Sequence, residues 1–357
     1  MREVLDLVAT DETPLVIFID DLDRCVPHKV AEIVEAISLF LAGDYPNCIF
    51  VIAMEPHVVA AALEVANSDL IKRMGELGLN DTSAPMGWRF MEKIVQLPLV
   101  LPPPTKTGLG GYMNALAPDP EKAASAEKVV PPPPDEAQVQ QLVEELRTQQ
   151  TLSAVVAKTE RMFSDMADRE APAIAEASKR VYAQKFNVHD PLVRKFLDEA
   201  VQTFGVNPRQ IKRYINLFRL CCVIRFHMWA DTERARRHAA AVGADPPPTV
   251  ELPTDEEITK YVTFSVQWPQ ATSLLRRSSS SGADGKISSL LKLLEQSAID
   301  LRVEDSETAA KWVAVLKQLR LLQAESSGSG AWVCDVAFRR YLAKDPSLAA
   351  AADKGLW

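Results

Sequence analysis

The sequence predicts an α/β fold: a partial parallel-sheet core, followed by a helical region and a small, mainly helical C-terminal domain. In roughly the first hundred residues, apolar strand-like runs alternate with helical patterns, which is typical of a core with a parallel sheet. Helical periodicity dominates the rest of the chain. Proline-rich stretches at residues 102–104, 131–134 and 246–248 separate these regions. The predicted segments are a core at 1–104, a proline-rich linker or insert at 105–135, a helical region at 136–232, a linker at 233–254 and a C-terminal domain at 255–357.

Three apolar runs are the predicted strands of the core, at residues 15–19, 48–53 and 94–101. The first two are short and continuously apolar, as in parallel strands that are buried on both faces. Between them, apolar residues recur at helical spacing from Val30 to Leu41, and Gly43 follows as a stop signal. The segment therefore predicts a strand, a helix and a parallel strand.

The helical region contains a strong start signal at Asn207 and Pro208, which are typical of a helix cap and a first helical turn. The predicted helix runs to about Met228. Helical spacing is also clear between Val139 and Leu146, and between Leu192 and Val201.

The C-terminal domain has helical patterns at residues 287–294 and 312–322, followed by a predicted hairpin formed by 321–325 and 331–335. Two helices and a hairpin predict a winged-helix-like arrangement. The serine-rich residues 277–286 between the helical patterns predict a surface loop.

Composition argues against several classes of protein. The formal net charge of −8 argues against nucleic-acid binding by the chain as a whole. The sequence has no apolar run of the roughly 18 residues that would indicate a membrane span, so we expect a cytoplasmic protein. Its five scattered cysteines include no CxxC pair, so neither a disulfide framework nor a zinc site is expected.

The most informative motif is the run Val-Ile-Phe-Ile-Asp-Asp-Leu-Asp-Arg at residues 16–24, which resembles a Walker B strand. A buried parallel strand delivers the residues after it to the carboxyl edge of the sheet, where ligands of α/β folds bind. Magnesium takes oxygen ligands and often uses one or two carboxylates together with phosphates and water. Asp20 is therefore the predicted metal ligand, acting directly or through water.

The residues beside Asp20 have predicted roles of their own. Asp21 would orient a water molecule for attack on a phosphate, and Arg24 would sense or neutralise phosphate charge. Glu55 follows the second predicted strand and would contact the same water or the neighbourhood of Asp21. The alternative is structural: the three aspartates form a polar turn in which one caps the next helix, and Glu55 is a solvated residue before Pro56.

Residues 18–63, together with 88–98 and 207–216, resemble the KAP family of P-loop NTPases. The resemblance implies a P-loop NTPase core with a helical lid that binds ATP and Mg²⁺ and works as a nucleotide-dependent switch or scaffold. It also implies protein partners or self-association, with peripheral attachment at the inner face of the membrane as an alternative to a purely cytoplasmic protein. Bacterial members of the family include phage-exclusion proteins, so phage defence is an implied role.

The sequence departs from the family pattern at Walker A, because it contains no GxxxxGK[ST]. Ser280 to Ile287 is the nearest run, but it lacks the first glycine and follows no strand. The expectation is a truncated chain that is inactive alone, an ATPase only when an upstream Walker A completes it. A sheet without its first strand and P-loop helix would leave an edge and an apolar face uncovered.

The predicted lid helix carries three cations, Arg209, Lys212 and Arg213, at helical spacing. Arginine binds phosphate through two hydrogen bonds from a planar group, so Arg209 is the first candidate for a nucleotide sensor and Arg213 the second. The alternative is a solvated basic face opposite the apolar side of the helix.

Three functions remain open from the sequence. The first is an ATP-binding and ATP-hydrolysing switch. The second is a non-catalytic interaction protein with a degenerate nucleotide site. The third is a winged-helix nucleic-acid-binding module in which Lys311, Lys317 and Arg320 contact phosphates.

Overall fold

The computed structural model describes residues 9–10, 13–42, 47–77, 86–99, 134–186, 190–204, 207–243, 245–247, 250–280, 287–301, 306–318 and 336–355. These residues are mostly helical and contain a small parallel sheet. They divide into two compact units, one made of the described residues up to Pro98 and one made of the described residues from Leu99 onward. Within the described residues, no helix combines the length and the apolar character needed to cross a bilayer.

The first unit contains two strands, a 3₁₀ turn and four helices. In chain order they are β1 (Leu15–Ile19), the 3₁₀ turn (Leu22–Arg24), α1 (Pro27–Ala42), β2 (Cys48–Ile52), α2 (Pro56–Ala66), α3 (Ser68–Glu76) and α4 (Met86–Ile94). The strands β1 and β2 pair in parallel, with Leu15 opposite Cys48 and Ile19 opposite Ile52. The predicted strand, helix and parallel strand are therefore confirmed, whereas Gly43 lies outside the described residues.

The core of this unit lies on one face of the sheet. Its buried residues come from the turn and from three helices: Leu22, Val30, Val34, Ile37, Val59, Ala60, Ala62, Leu63, Met91 and Ile94. Ile19 and Ile52 pack against this cluster from the sheet, and Phe50 meets Phe40 of α1 edge to face at 5.1 Å.

The opposite face of the sheet is exposed. Its four apolar side chains form two cross-strand pairs, Val16 with Ile49 and Phe18 with Val51, and Phe18 is 76% exposed. The described residues therefore bury one face of the sheet and not both, and an uncovered apolar face is what the sequence predicted for a sheet without its first strand and P-loop helix. The apolar runs alone do not reveal this, because the helices that pack on the sheet cover only the inward-pointing residues.

The third predicted strand, at residues 94–101, is also wrong where the structure describes it. Ile94 is the last residue of helix α4, and residues 95–99 form no strand, while 100 and 101 lie outside the described residues. Met91 and Ile94 are buried against the core at a helical spacing of three residues. The first residue of the apolar run therefore belongs to the buried face of a helix.

The second unit is entirely helical in its described residues. Its first half contains α5 (Glu136–Arg147), α6 (Leu152–Asp165), a 3₁₀ turn (Asp168–Glu170), α7 (Ala171–Lys185), α8 (Pro191–Phe204) and α9 (Pro208–Val242). Asn207 caps α9 as predicted, because its Oδ1 accepts hydrogen bonds from the N–H groups of Arg209 and Gln210. The helix continues well past Met228, so the start of the predicted linker at 233–254 is helical.

The second half of this unit contains α10 (Asp255–Gln267), α11 (Pro269–Ser280), α12 (Ile287–Asp300), α13 (Ser306–Gln318), α14 (Val336–Leu342) and α15 (Leu348–Asp353). The predicted helix at 287–294 is confirmed within α12, and the one at 312–322 is confirmed within α13 for residues 312–318. Residues 319–322 and the predicted hairpin at 321–335 lie outside the described residues. The predicted loop at 277–286 is wrong for residues 277–280, which end α11, and residues 281–286 are not described.

A buried ion pair joins the helices of this second half. The Lys260 ammonium group donates to Glu295 Oε1 at 3.4 Å and to the backbone carbonyls of Leu342 and Lys344. Glu295 in turn accepts hydrogen bonds from the hydroxyl of Ser347 and the N–H of Leu348, at the start of α15. Since both charged groups are buried and satisfied, the pair fixes the C-terminal helix to α10 and α12.

Candidate functional site

The two parallel strands end at the same edge of the sheet. Ile19 and Ile52 are paired, and the N–H of Ala53 donates to the carbonyl of Ile19 at 2.8 Å. Asp20 follows directly after β1, and Glu55 follows β2 after a short extended segment. The predicted carboxylates of both strand ends are therefore on the carboxyl edge, which is where parallel sheets bind ligands.

Asp21 holds an unusual backbone conformation at this edge. Its φ of 59° and ψ of 25° place it in the left-handed region, where an L-residue other than glycine, asparagine or aspartate is strained. The N–H of Asp21 donates to Oδ1 of Asp20 at 2.8 Å, so the Asp20 carboxylate is held beside the residue that follows it. Such backbone outliers are concentrated at functional sites.

Arg24 reaches back to the same turn. Its side-chain Nε lies 2.9 Å from Oδ1 of Asp21. Its backbone N–H donates to the backbone carbonyl of Asp21 at 3.1 Å. The turn that joins them is anchored by Leu22, whose side chain is buried in the core. The Asp21 and Arg24 side chains are 56% and 76% exposed, so both remain accessible to a ligand.

The polar turn of the structural alternative is present, because the N–H of Asp21 donates to Asp20 and Arg24 pairs with Asp21, whereas its helix cap is not formed by the Asp21 side chain. Asp21 makes no side-chain cap to the 3₁₀ turn that follows it. At the start of α1, the N–H groups of Lys29 and Val30 donate to the carbonyl of Val26. The carboxylates of Asp20 and Asp21 are instead exposed at the strand end.

Glu55 lies at the N-cap position of α2 but does not cap it with its side chain. Its carboxylate is exposed at the carboxyl edge. Its neighbour His57 packs edge to face on Trp88 of α4 at 5.4 Å. His57 could not be found from the sequence, because a lone histidine in a helical pattern has no characteristic spacing to another functional residue.

The structure separates the candidate arginines of α9. Arg209 and Lys212 are exposed, as a basic surface requires, whereas Arg213 is buried within its own unit. The predicted face of three exposed cations is therefore wrong for Arg213. Its position follows from helix geometry, since Arg213 is followed by Tyr214 and Leu217 on the buried side.

The carboxyl edge of the sheet fits a magnesium ion that arrives with a nucleotide. In the part of the chain that the structure describes, no three His, Cys, Asp or Glu side chains converge as a complete metal cage. Magnesium does not require such a cage, because it keeps several waters and takes phosphate oxygens as further ligands. Asp20 supplies an exposed carboxylate oxygen of the type that this coordination needs.

Comparison with protein families gives a match to the KAP family P-loop domain over residues 3–223, more than half of the chain. The chain belongs to the KAP family of P-loop NTPases. Comparisons with curated proteins and with solved structures gave no match.

The KAP match includes all of the predicted site residues. Asp20, Asp21, Arg24 and Glu55 lie in its first part, and the start of α9 with Arg209 and Arg213 lies near its end. Nucleotide binding is a property of the P-loop NTPase class to which the family belongs. The C-terminal helices α10 to α15 lie beyond the matched residues.

Proposed function

We propose that this chain is the Walker B and lid portion of a KAP-type ATPase that works as a nucleotide-dependent switch or scaffold. The observation that carries the proposal is the parallel pairing of β1 and β2, which places Asp20 and Glu55 on one carboxyl edge in a P-loop NTPase family member. The proposal includes a cytoplasmic location and protein partners or self-association, with attachment to the inner face of the membrane as a further possibility to test.

In the proposed site, Asp20 holds the Mg²⁺ that accompanies ATP. The bound ion would neutralise charge on the β- and γ-phosphates. Asp21 and Glu55 accept hydrogen bonds from a water molecule and hold it in line with the γ-phosphate. Their exposure at the strand ends supports these roles, since both carboxylates remain open to solvent.

The phosphates of ATP need a phosphate-binding loop, and this sequence contains no GxxxxGK[ST] motif that would form one. We assign this phosphate-binding loop to a strand and helix outside these 357 residues. The exposed face formed by Val16, Phe18, Ile49 and Val51 supports this assignment. A parallel sheet is normally covered on both faces, and a β-α unit that carries a P-loop would cover this one.

Arg209 is the proposed nucleotide sensor of the lid. It is exposed in the first turn of α9, and its planar guanidinium group suits a phosphate. Arg213 is the weaker candidate because its side chain is buried within the helical unit. Replacing each by alanine and measuring ATP affinity would separate the two assignments, with the larger loss expected for Arg209→Ala.

Calorimetric titration of Mg²⁺-ATP tests the proposal as a whole. The samples are this chain, a form extended upstream by a segment that contains GxxxxGK[ST], and Asp20→Ala in both. We expect the extended form to bind and hydrolyse ATP, and Asp20→Ala to remove the Mg²⁺-dependent turnover. Absence of nucleotide binding by both forms would contradict the ATPase proposal.

The exposed sheet face also favours a second candidate, a non-catalytic interaction protein with a degenerate nucleotide site. Two adjacent cross-strand pairs of apolar side chains form a surface that suits a protein partner. In that case neither form would bind ATP, while Phe18→Ser would abolish partner binding and leave the fold intact. The titration and this substitution together distinguish the two candidates.

A further inference from the structure

Arg24 and the carboxylates of the strand end lie in one turn, where Arg24 pairs with Asp21, the neighbour of the proposed metal ligand Asp20. Arg24 Nε lies 2.9 Å from Oδ1 of Asp21, and the Asp20 carboxylate accepts the N–H of Asp21 at 2.8 Å. Asp21 has a left-handed backbone in the turn that holds the two carboxylates and the arginine. The anchoring of Leu22 in the core fixes the position of that turn.

We infer that Arg24 is an intramolecular competitor of the divalent cation, so that it makes cation binding at Asp20 conditional on a phosphate. The inference rests on the proposed function, in which Asp20 holds the metal ion of a nucleotide. Arg24 lowers the negative potential at the strand end while it is paired with Asp21. A phosphate accepts two hydrogen bonds from the same guanidinium group, and its arrival releases Asp21 from the ion pair, so that the charge of Asp21 then adds to that of Asp20 beside the cation.

The local charges support this exchange. Asp20, Asp21 and Asp23 lie within four residues, and Arg24 is the cation within the same turn. Removing Arg24 would leave Asp21 without its ion-pair partner beside Asp20 and Asp23, and a divalent cation would then bind more tightly. The Arg24 side chain is exposed, so its exchange between Asp21 and a phosphate requires no change in the core.

The inference is tested with Mn²⁺ alone, a probe for oxygen-ligand magnesium sites, by following the free Mn²⁺ signal in electron paramagnetic resonance during titration of the full chain. Arg24→Gln is expected to bind Mn²⁺ about two- to five-fold more tightly than the wild-type chain, the range that corresponds to the loss of an exposed ion pair. Thermal unfolding of each variant checks that the fold is retained.

The matched control is Arg73→Gln. Arg73 pairs with Glu76 at 2.8 Å in the same unit, with the same spacing of three residues and with similar exposure. Both substitutions change the net charge equally, so a general charge effect would change Mn²⁺ affinity in both. We expect the affinity of Arg73→Gln to equal that of the wild-type chain.

Asp21→Asn provides the second control, because asparagine tolerates the left-handed backbone but does not form the ion pair. In the Asp21→Asn background, Arg24→Gln is expected to change the Mn²⁺ affinity less than two-fold. The inference is overturned if Arg24→Gln has no effect in the wild-type background, or if Arg73→Gln has the same effect.

Asp20→Asn separates this inference from the proposed function. If Asp20→Asn weakens Mn²⁺ binding while Arg24→Gln leaves it unchanged, the metal assignment stands and only the role of Arg24 fails. If Asp20→Asn leaves Mn²⁺ binding unchanged, both the metal assignment and the role of Arg24 are overturned.

Discussion

Gly87 of α4 lies so close to Ala60 of α2 that a Cβ atom on Gly87 would overlap the carbonyl oxygen of Ala60. The contact is strengthened by Glu64, whose Oε1 accepts a hydrogen bond from the N–H of Gly87 at 3.0 Å. The close approach of these two helices buries Met91 and Ile94 against the core. Glycine at this position is therefore required by packing, although it lowers the intrinsic stability of the helix.

We predict that Gly87→Ala destabilises the first unit by about 1–3 kcal/mol, because the added methyl group must displace backbone atoms of α2. The measurement is the free energy of unfolding in urea. The control is Gly75→Ala in α3, where the glycine is exposed and alanine favours the helix by up to about 1 kcal/mol. Equal effects of the two substitutions would contradict the packing argument.

The left-handed conformation of Asp21 gives a second prediction. Asp21→Val is expected to destabilise the chain by about 1–2 kcal/mol relative to Asp21→Gly, since a β-branched side chain is strained at a φ of 59°. Both substitutions remove the carboxylate and its contact with Arg24, so their difference isolates the backbone. Urea unfolding measures it, and equal stability of the two variants would show that the turn is not held in this conformation.

The buried carboxylate of Asp190 gives a third prediction. Its Oδ2 accepts the N–H of Leu152 at 2.8 Å and its Oδ1 accepts the N–H of Leu192 at 2.9 Å, so one side chain caps both α6 and α8. Asp190→Ala should cost about 2–4 kcal/mol, because each lost cap costs about 1–2 kcal/mol. The single cap lost in Asn207→Ala should cost about 1 kcal/mol. Calorimetric unfolding would reveal the difference, and similar losses for the two variants would argue against the double cap.

The cysteines give a fourth prediction. Burial raises the pKa of the Cys221 thiol to about 12 and also raises the pKa of the Cys222 thiol. The thiolate is the reactive form, so neither should react with a disulfide reagent near pH 8 while the chain is folded. Cys25 is exposed and should react first.

The labelling experiment uses a Cys334→Ser background, since Cys334 lies outside the described residues. Cys25→Ser should remove the fast phase, and denaturant should release the reactivity of Cys221 and Cys222. Rapid labelling of Cys221 or Cys222 in the native chain would contradict their burial.

Local patterns were sufficient for much of the fold. The two strands, the helix between them and the cap at Asn207 were predicted, because each depends on residues that are close in the sequence. The resemblance to the KAP family was confirmed for the same reason, since it rests on contiguous motifs. The roles of Asp20, Asp21, Arg24, Glu55, Arg209 and Arg213 stay predictions.

The predictions that failed required knowledge of what packs against each segment. The run from Ile94 onward is as apolar as a strand. Ile94 is nevertheless the last residue of helix α4, where it is buried in the core together with Met91. Arg213 shares helical spacing with Arg209 and Lys212, yet packing within its unit buries it. The sequence shows that Arg209, Lys212 and Arg213 are charged, but it does not show which of them are exposed to solvent.

The sequence by itself determined the family, the order of strands and helices in the core, and the position of the carboxylates after β1, because these depend on short-range patterns. Only the tertiary structure decided that the exposed apolar face is the one with Phe18, that Gly87 is required where two helices touch, and that Arg24 pairs with Asp21. The physical reason is that burial and side-chain pairing depend on which surfaces meet in space. An apolar residue gives the same sequence pattern whether it is buried or exposed, and a charged residue gives the same pattern whether or not it is paired.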